Sequence, residues 1–305
     1  MPELPEVQTI VSQLAPRLGG AVIESVAAHP DKVFRTGLRE LRTGLPGRKV
    51  DRVLREGKRI IVLLSPPARL VVHLGMTGRL VFRSCGEAED KHTHLRLRFI
   101  DRPWEVRFVD PRKFGGVWFL RPKQEKSLSS LRELGPDALT IRAPVLREIA
   151  RRRRQIKALL LDQQVIGGLG NIYTDEALFA ARIHPLTRGC DLSEQQVRSL
   201  ARAIRKTLRS SIASGGTTMS DYRDANGSEG AFWRRLRVYG REGEPCGRCA
   251  TEIRRLVVAG RSTHVCPRCQ SMKIGRPRPG ERRAARGNRR RARSQVDPHP
   301  APPPP

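Results

Sequence analysis

Residues 246–269 read CGRCATEIRRLVVAGRSTHVCPRC, two Cys-x2-Cys pairs separated by 16 residues. Two thiolate pairs on tight turns can bring four sulfur atoms to one tetrahedral Zn2+, and four protein ligands leave no open position for catalysis. The residues between the pairs are rich in arginine and β-branched side chains, which predicts a basic β-hairpin. We therefore expect one structural Zn2+ in a C-terminal zinc-bound β-hairpin. The four ligands are Cys246, Cys249, Cys266 and Cys269.

The other two cysteines, Cys85 and Cys190, are isolated in the sequence. A cysteine set dominated by metal-type pairs is typical of a reducing compartment rather than of a disulfide framework. No apolar run approaches the roughly 18 residues of a membrane span, and the N-terminus lacks a signal-peptide pattern. These features predict a cytoplasmic protein with no membrane partner, in which Cys85 and Cys190 are plain thiols.

The charge balance indicates the class of partner. The chain has 305 residues, with 59 Lys and Arg against 30 Asp and Glu, and a formal net charge of +29. Residues 274–305 hold nine arginines and two acids, so the rest of the chain still carries +22. An enzyme of small metabolites has no need of such a field, whereas a polyanion-binding protein gains affinity by releasing counterions from phosphates. Nucleic acid is therefore the predicted partner.

The N-terminal part changes from one helix to many short strands. Apolar residues recur at helical spacing from Val7 to Leu18 and stop at Gly19 and Gly20. Short runs that alternate polar and apolar side chains follow, such as HLRLRF at 94–99, and Gly, Pro or Asp separate them. This pattern of short alternating runs predicts a β-sandwich or barrel. The predicted strands are residues 59–64, 70–74, 94–100, 104–109 and 116–120.

A helical region follows the predicted strands. Residues 151–162 and 172–181 have the pattern of helices, and Ser193 with Gln196 forms a capping box ahead of a third. Residues 165–171 read VIGGLGN and lead into a helix N-terminus, where exposed N–H groups would suit a phosphate oxygen. A purely structural tight turn is the alternative.

The first six residues, MPELPE, contain a candidate nucleophile. A small second residue such as Pro2 favours removal of Met1, which would expose a secondary amine. A terminal amine titrates at about 7.7–8.0 and a lysine at about 10.4, so far more of the terminal amine is unprotonated at neutral pH. Attack on a sugar C1′ would give an iminium, whose positive charge acidifies the C2′ hydrogens and permits strand scission by elimination. A Pro-Glu start alone is weak evidence for this chemistry.

Further motifs place that start in a family context. Together they resemble the bacterial formamidopyrimidine-DNA glycosylase family, whose close relatives are the endonuclease VIII enzymes. The resemblance covers about residues 2–270, nearly the whole chain except the basic tail. The motifs are MPELPEV at 1–7, GKR at 57–59, HLGMTG at 73–78, DPRKFG at 110–115, LGP at 134–136, GLGNIY at 168–173, GGTT at 215–218, VYGR at 238–241 and the cysteine pairs.

The resemblance implies a role for each residue of the catalytic group. Pro2 would be the nucleophile that forms a Schiff base, and Glu3 would donate a proton during sugar-ring opening and base release, with Glu6 in support. Lys58 would serve β-elimination. Arg261 matches the position that serves δ-elimination, but an arginine is a poor acid, so we expect it mainly to bind phosphate and stabilise charge.

The resemblance also implies a DNA interface. Met76, Arg112 and Phe114 match a wedge that fills the gap left by an extruded nucleotide, and residues 217–233 resemble a mobile loop that covers the extruded base. Lys113 replaces the family's usual arginine, and arginines replace lysine in residues 151–154, which should preserve phosphate affinity but alter geometry. The predicted contacts to the DNA backbone are His92, Arg112, Lys113, Arg152, Lys157 and Asn171.

These readings combine into an α+β fold in four segments. Residues 2–130 would form the catalytic domain, an N-terminal helix plus a β-sandwich, and 131–235 a helical helix-two-turn-helix DNA-binding domain. Residues 236–270 would form the four-cysteine zinc finger. Residues 271–305 are rich in Pro, Gly and Arg, which predicts a disordered basic tail to which the resemblance transfers no role.

The predicted function is base-excision repair: removal of oxidised purines such as 8-oxoguanine and formamidopyrimidines from duplex DNA, followed by β,δ-elimination at the abasic site. Leu4 and Met76 favour purine lesions over the oxidised pyrimidines of the endonuclease VIII relatives. The alternative from another class is a non-catalytic zinc-dependent DNA-binding protein, which would have no use for Pro2, Glu3 and Lys58 together. We expect a monomer associated with the bacterial nucleoid.

Overall fold

The computed structural model describes residues 2–122 and 133–272. It begins with helix α1 (Leu4–Leu18), and the N–H of Glu3 donates to Glu6 Oε2 at 2.8 Å ahead of the first turn. Helix N-termini have N–H groups without partners inside the helix, and an acid placed three residues on satisfies one of them. The apolar face of α1 is buried in the first hydrophobic core, so the predicted N-terminal helix is confirmed.

Two antiparallel sheets of four strands follow and pack face to face as a β-sandwich. One has the order β1-β6-β7-β5 and the other the order β2-β3-β4-β8. Inward-facing side chains of both sheets share one core with α1. The predicted helix-plus-sandwich architecture is therefore confirmed. The strands are β1 (Ile23–Ala28), β2 (Lys49–Glu56), β3 (Arg59–Ser65), β4 (Ala68–His73), β5 (Arg79–Ser84), β6 (Thr93–Phe99), β7 (Trp104–Val109) and β8 (Gly116–Leu120).

The five predicted strands match β3, β4, β6, β7 and β8 to within two residues at each end. Strands β1, β2 and β5 and the short helix α2 (Leu38–Gly44) have no counterpart in the prediction. In β2 only Val50 and Val53 are buried, and the pairing register shifts between Val50 and Arg52. An irregular strand with few buried residues lacks the alternation that identifies a strand in a sequence.

In the described part of the chain, four α-helices follow the sandwich, and their apolar faces share a second core. The helix predicted over 151–162 is wrong in its first half, because this segment pairs with a neighbouring turn. Gly189 N donates to Arg154 O at 3.0 Å, and Ile156 N donates to Thr187 O at 2.7 Å. Four successive exposed arginines also offer no apolar face for a helix to bury. The helices are α3 (Ala143–Ala150), α4 (Ile156–Leu161), α5 (Asn171–Ala181) and α6 (Glu194–Ile212).

The other two predicted helices are confirmed as α5 and α6. The capping box of α6 is present in both directions: Gln196 N donates to Ser193 Oγ at 3.2 Å, and Ser193 N donates to Gln196 Oε1 at 2.9 Å. Such reciprocal bonds satisfy two N–H groups at the helix start.

Helix α5 holds the C-terminal part of the chain through two consecutive buried acids. Glu176 Oε1 accepts hydrogen bonds from the N–H groups of Val238 (2.9 Å) and Tyr239 (3.0 Å). Asp175 Oδ2 accepts one from the N–H of His264 at 2.9 Å. His264 lies on the second strand of a two-stranded antiparallel hairpin, β9 (Arg254–Val258) and β10 (Arg261–Val265), which confirms the predicted basic hairpin.

Residues up to Ser271 form one compact unit. None of the helices in the described part of the chain has the length and apolarity that a membrane crossing requires. The tail predicted to be disordered, residues 271–305, lies outside the described residues apart from its first two, and so does Met1.

Candidate active site and nucleic-acid interface

Glu3 lies buried against the start of α5, next to Pro2, which is also buried. Its carboxylate accepts hydrogen bonds from the N–H groups of Gly170 (Oε2, 2.8 Å) and Ile172 (Oε1, 2.9 Å). A Cβ at position 170 would lie 2.3 Å from Glu3 Cδ, so this close approach requires glycine there. Glu3 therefore binds the N–H groups at the end of the glycine-rich turn, residues 165–171. The expectation that these groups bind a phosphate is corrected.

Burial raises the pKa of Glu3, whereas the charge of Lys58 and the N–H groups of α5 oppose that rise. The direction follows from the loss of water around a carboxylate, which disfavours the charged form. A raised pKa favours the protonated carboxyl group, which is the form that a proton donor needs.

Glu6 joins the start of α1 to two distant segments. Its Oε1 accepts hydrogen bonds from the N–H of Thr217 at 2.7 Å and from the hydroxyl of Tyr173. The Tyr173 hydroxyl also lies 2.8 Å from Thr217 Oγ1. Burial, together with the neighbouring charge of Glu3, raises the pKa of Glu6 to about 7. Glu6 therefore supports Glu3 and also anchors the first residue of the 217–233 loop.

The raised pKa of Glu6 predicts a pH dependence of stability. Because this pKa is about 7 in the folded protein against an ordinary value of 4.5, the folded state binds the extra proton between these values. The contribution of Glu6 to stability is then complete below about pH 4.5 and falls by up to about 3 kcal/mol as the pH rises to 7. In Glu6→Gln this part of the slope should disappear, which urea unfolding at several pH values would measure. Identical slopes in the two proteins would contradict the assignment.

Lys58 lies in the turn between β2 and β3 and is buried. Burial lowers its pKa, Glu3 and Glu6 oppose that effect, and Arg261 lowers the pKa further. Because the charges of Glu3, Glu6 and Arg261 all affect this pKa, these three predicted residues lie close to the Lys58 amine. A lowered pKa favours the neutral amine, which is the form that can act as a base.

Lys157 has a different environment from the one its predicted DNA contact requires. Its ammonium is fully buried, 2.6 Å from Asp175 Oδ1, and donates to Thr263 Oγ1 at 2.7 Å and to the carbonyl of Ser262 at 3.1 Å. All these partners are internal, so the expectation of a phosphate contact at Lys157 is corrected. The residue instead joins α4 and α5 to the hairpin strand that begins at Arg261.

We expect Lys157→Met to lower the free energy of unfolding by about 3–5 kcal/mol, because it leaves Asp175 buried without its cation. Urea unfolding would measure the loss. Arg154→Met is the matched control: it removes an ion pair whose Nη1–Oδ2 distance to Asp162 is 2.9 Å but whose arginine is exposed. That change should cost less than about 1 kcal/mol. Equal losses in the two variants would contradict the internal role of Lys157.

The predicted wedge residues lie on two loops of the sandwich. Met76 is 40% exposed and Phe114 is 49% exposed, which is unusual for large apolar side chains and leaves both free to contact a partner. The guanidinium of the exposed Arg112 stacks on the Phe114 ring, with Cζ 4.7 Å from the ring centroid. The three side chains therefore form an exposed apolar and cationic tip.

The other predicted DNA contacts differ in how available they are. Arg152 is exposed, and His92 is partly exposed. Lys113 forms an ion pair with Asp31 at 2.7 Å, so its charge is partly neutralised within the protein. Asn171 is partly buried, and its Nδ2 donates to the carbonyl of Ser262 at 2.8 Å.

The four predicted zinc ligands converge at the base of the hairpin. Their sulfur atoms all lie within 4.8 Å of one another, and three of the Sγ–Sγ distances are 3.5, 3.5 and 3.9 Å. A tetrahedral ion with Zn–S bonds of about 2.3 Å needs sulfur atoms about 3.8 Å apart. The thiolates therefore fit one structural Zn2+, as the sequence predicts.

Sequence reasoning assigns no role to Tyr173 or His73, although each lies in one of the motifs. Tyr173 connects Glu6 to the loop, as described above. His73 lies close to Lys58, and burial, with the nearby cations, lowers its pKa to about 4. His73 is therefore neutral near pH 7, and its Nδ1 accepts a hydrogen bond from the N–H of Gly75 at 3.1 Å. The one signal in the sequence for either residue is its place in a motif.

Three family models match successive parts of the chain. The formamidopyrimidine-DNA glycosylase N-terminal domain matches residues 1–117, the H2TH domain of the same enzymes matches 134–223, and a zinc finger found in FPG and IleRS matches 243–271. The last match, together with the sulfur geometry, identifies the metal site as a structural zinc centre.

Individual relatives extend over nearly the whole chain. Formamidopyrimidine-DNA glycosylase of Desulforamulus reducens is 41% identical over 278 residues, which is 90% of this chain and all of the relative. That of Symbiobacterium thermophilum is 42% identical over 293 residues, 92% of this chain and 95% of the relative.

Solved structures of a relative include bound DNA. The Lactococcus lactis Fpg complex with DNA that contains an abasic site has a TM-score of 0.81 and 35% identity, and the match covers 88% of this chain and 100% of that one. The wild-type enzyme with DNA that contains N7-benzyl-Fapy-dG gives the same values. The chain therefore belongs to the formamidopyrimidine-DNA glycosylase family, a family of bifunctional DNA glycosylases and abasic-site lyases that act in base-excision repair of damaged DNA.

Proposed function

We propose that this enzyme excises oxidised purines, 8-oxoguanine and formamidopyrimidines, from duplex DNA and cleaves the resulting abasic site by β,δ-elimination through a Schiff base at Pro2. The observation that carries the proposal is the burial of Glu3 beside Pro2, where the charge of Lys58 acts on its carboxyl group. The charge of Arg261 acts in turn on Lys58. These residues come from three distant parts of the chain. A protein that only binds DNA has no use for that combination.

Each group has a chemical task in the proposed reaction. After removal of Met1, the Pro2 nitrogen attacks C1′ of the damaged nucleotide, and Glu3 donates a proton as the sugar ring opens and the base leaves. The iminium that results acidifies the C2′ hydrogens. Lys58, whose pKa is lowered by burial, serves the removal of a C2′ proton and the loss of the 3′ phosphate. Arg261 stabilises the phosphate charge that develops in the second elimination.

The proposed DNA contacts follow from exposure. We assign phosphate contacts to His92, Arg112 and Arg152. Weaker contacts are assigned to Lys113, because Asp31 already pairs with it, and to Asn171, because its Nδ2 already donates to Ser262. Met76, Arg112 and Phe114 would enter the duplex and fill the space left by the extruded nucleotide, whose unstacking costs a few kcal/mol. Residues 217–233, anchored at Thr217 by Glu6, would cover the extruded base.

All proposed catalytic and wedge residues belong to one chain, which supports a monomeric enzyme. Because the proposed substrate is duplex DNA, we propose that the enzyme acts at the bacterial nucleoid. The purine preference rests on the sequence markers Leu4 and Met76, and on the Lactococcus lactis relative having been crystallised with Fapy-type lesions.

Borohydride trapping tests the proposed function. The wild-type protein would be incubated with duplexes that contain 8-oxoguanine, a formamidopyrimidine, an oxidised pyrimidine or no lesion, with reductant present. We expect a covalent protein–DNA adduct with the two purine lesions, a fainter one with the oxidised pyrimidine and none with undamaged DNA. A stronger adduct with the pyrimidine would indicate the endonuclease VIII specificity instead, and no adduct with any lesion would indicate a non-catalytic DNA-binding protein.

A further inference from the structure

Asp110 follows strand β7 and is completely buried. Its two carboxylate oxygens are used by two different loops: Oδ1 accepts a hydrogen bond from Thr77 Oγ1 at 2.6 Å, and Oδ2 accepts one from the N–H of Gly115 at 2.8 Å. Hydrogen bonds to a charged acceptor are stronger than those between neutral groups, particularly away from water. The carboxylate is therefore a strong link between residues 38 positions apart in the chain.

The two linked loops are those that carry the exposed tip. Thr77 follows Met76 directly, and Gly115 follows Phe114 directly. The loops also interlock sterically, because a Cβ at Gly75 would lie 2.4 Å from the carbonyl carbon of Phe114, and Gly75 has a φ of +62°. The backbone of one loop thus rests on the backbone of the other, next to the carboxylate that bonds both.

The backbone of Asp110 reaches a third segment of the interface. Its N–H donates to the carbonyl of His92 at 3.0 Å, and its carbonyl lies 2.9 Å from Nε2 of the buried His94. These bonds do not involve the side chain. A substitution at position 110 can therefore remove the links between the tip loops while the pairing with the segment around His92 remains.

We propose that Asp110 is a positioning residue that holds Met76, Arg112 and Phe114 together as one preorganised wedge for entry into duplex DNA. This inference rests on the proposed function, in which those three side chains fill the gap left by the extruded nucleotide. Exposed loop side chains lose conformational freedom when they insert into a base stack, and that cost weakens binding unless the loops are already ordered. The buried carboxylate orders these loops when the protein folds, before the protein binds DNA.

The chemistry of the site explains why a carboxylate stands there. Both neighbouring groups, the Thr77 hydroxyl and the Gly115 N–H, point hydrogens at residue 110, so the site needs two acceptors. An ionised aspartate has only acceptors, whereas asparagine has one acceptor oxygen and an NH2 group. Asp110→Asn therefore has nearly the same shape but breaks one of the two links.

Two variants test the proposal from opposite ends of the link, Asp110→Asn and Thr77→Val. Thr77→Ser, which keeps the hydroxyl, is the rescue, and Thr36→Val is the matched control because it removes a hydroxyl bonded to the N–H of Phe119 in the same sandwich at 2.9 Å. Single-turnover rates would be measured for excision of 8-oxoguanine and for cleavage of a preformed abasic site. A 2-aminopurine placed beside the lesion would report opening of the stack.

We expect Asp110→Asn and Thr77→Val to slow 8-oxoguanine excision by about 10-fold to 100-fold, the usual effect of losing a hydrogen bond to a charged group. Cleavage of the abasic site should change by less than about threefold, because that nucleotide has no base to unstack. The 2-aminopurine signal should fall with excision, and Thr77→Ser and Thr36→Val should behave as wild type.

An equal loss of both activities in Asp110→Asn and Thr77→Val, or no loss in either, would overturn the positioning role. The first result would mean that the carboxylate only stabilises the domain, and the second that the loops do not need it. Failure of the proposed function gives a different result, because the wild-type protein itself would then form no borohydride adduct with the 8-oxoguanine duplex.

Discussion

Glu3→Gln is expected to slow base excision by about 100-fold to 10,000-fold, the range that a positioned general acid contributes. Glutamine cannot donate a proton of the required acidity to the opening sugar ring. Cleavage of a preformed abasic site should be much less affected, because no base has to leave and Pro2 remains in place. Single-turnover rates on an 8-oxoguanine duplex and on an abasic duplex would give the two numbers from the same preparation.

The environment of Glu3 demands a control for this experiment. The carboxylate accepts N–H groups on both oxygens, so the NH2 of glutamine would meet a donor and disturb the start of α5. Glu3→Asp keeps the acid but shortens its reach. If the loss of excision came only from a disturbed helix, Glu3→Asp and Glu3→Gln would slow both reactions equally, and the assignment of Glu3 as proton donor would fail.

The parts of this protein that could be predicted from sequence are those with a local cause. The zinc centre follows from cysteine spacing, because each cysteine pair lies on one tight turn and a short antiparallel hairpin brings the two turns together. The start of α6 follows from Ser193 and Gln196, which are three residues apart. Strand β6 follows from alternation within seven residues.

The parts that could not be predicted depend on contacts between distant residues. Lys157 matches a family DNA contact in sequence, but Asp175 and Thr263 surround it, and nothing near position 157 indicates them. The glycine-rich turn before α5 looks suited to a phosphate, yet Glu3, 167 residues earlier, takes its N–H groups. In both cases the group that was predicted to contact DNA is already bound to another group inside the protein.

These two corrections have a common physical basis. A buried charge is costly unless it is paired or hydrogen-bonded. Glu3 and Lys157 both contact α5. The N-terminus of this helix binds Glu3, and Asp175 within it pairs with Lys157. Helix α5 thereby holds Glu3, the proposed proton donor, on one side and the hairpin strand that begins at Arg261 on the other. The relative placement of Glu3 and Arg261 is therefore set by one rigid element.

Retention of Met1 is expected to abolish the borohydride adduct and both cleavage reactions, because the Pro2 nitrogen is then an amide. An amide nitrogen has no available lone pair to attack C1′, whereas a free terminal amine is substantially unprotonated near pH 8. A single glutamate inserted between Met1 and Pro2 creates this state. Mass spectrometry would verify the N-terminus, and gel analysis of trapped complexes would measure the adduct.

The matched control uses one unaltered sequence in two states. Protein produced with Met1 retained would be divided, and one half treated with methionine aminopeptidase, so that both halves share the same fold and zinc centre. Only the treated half should form the adduct, and both should bind an uncleavable abasic-site analogue with similar affinity, because the proposed phosphate contacts lie elsewhere on the surface. Adduct formation by the untreated half, with Met1 still attached, would show that another amine is the nucleophile. Lys58, a buried lysine with a lowered pKa, would then be the residue to test.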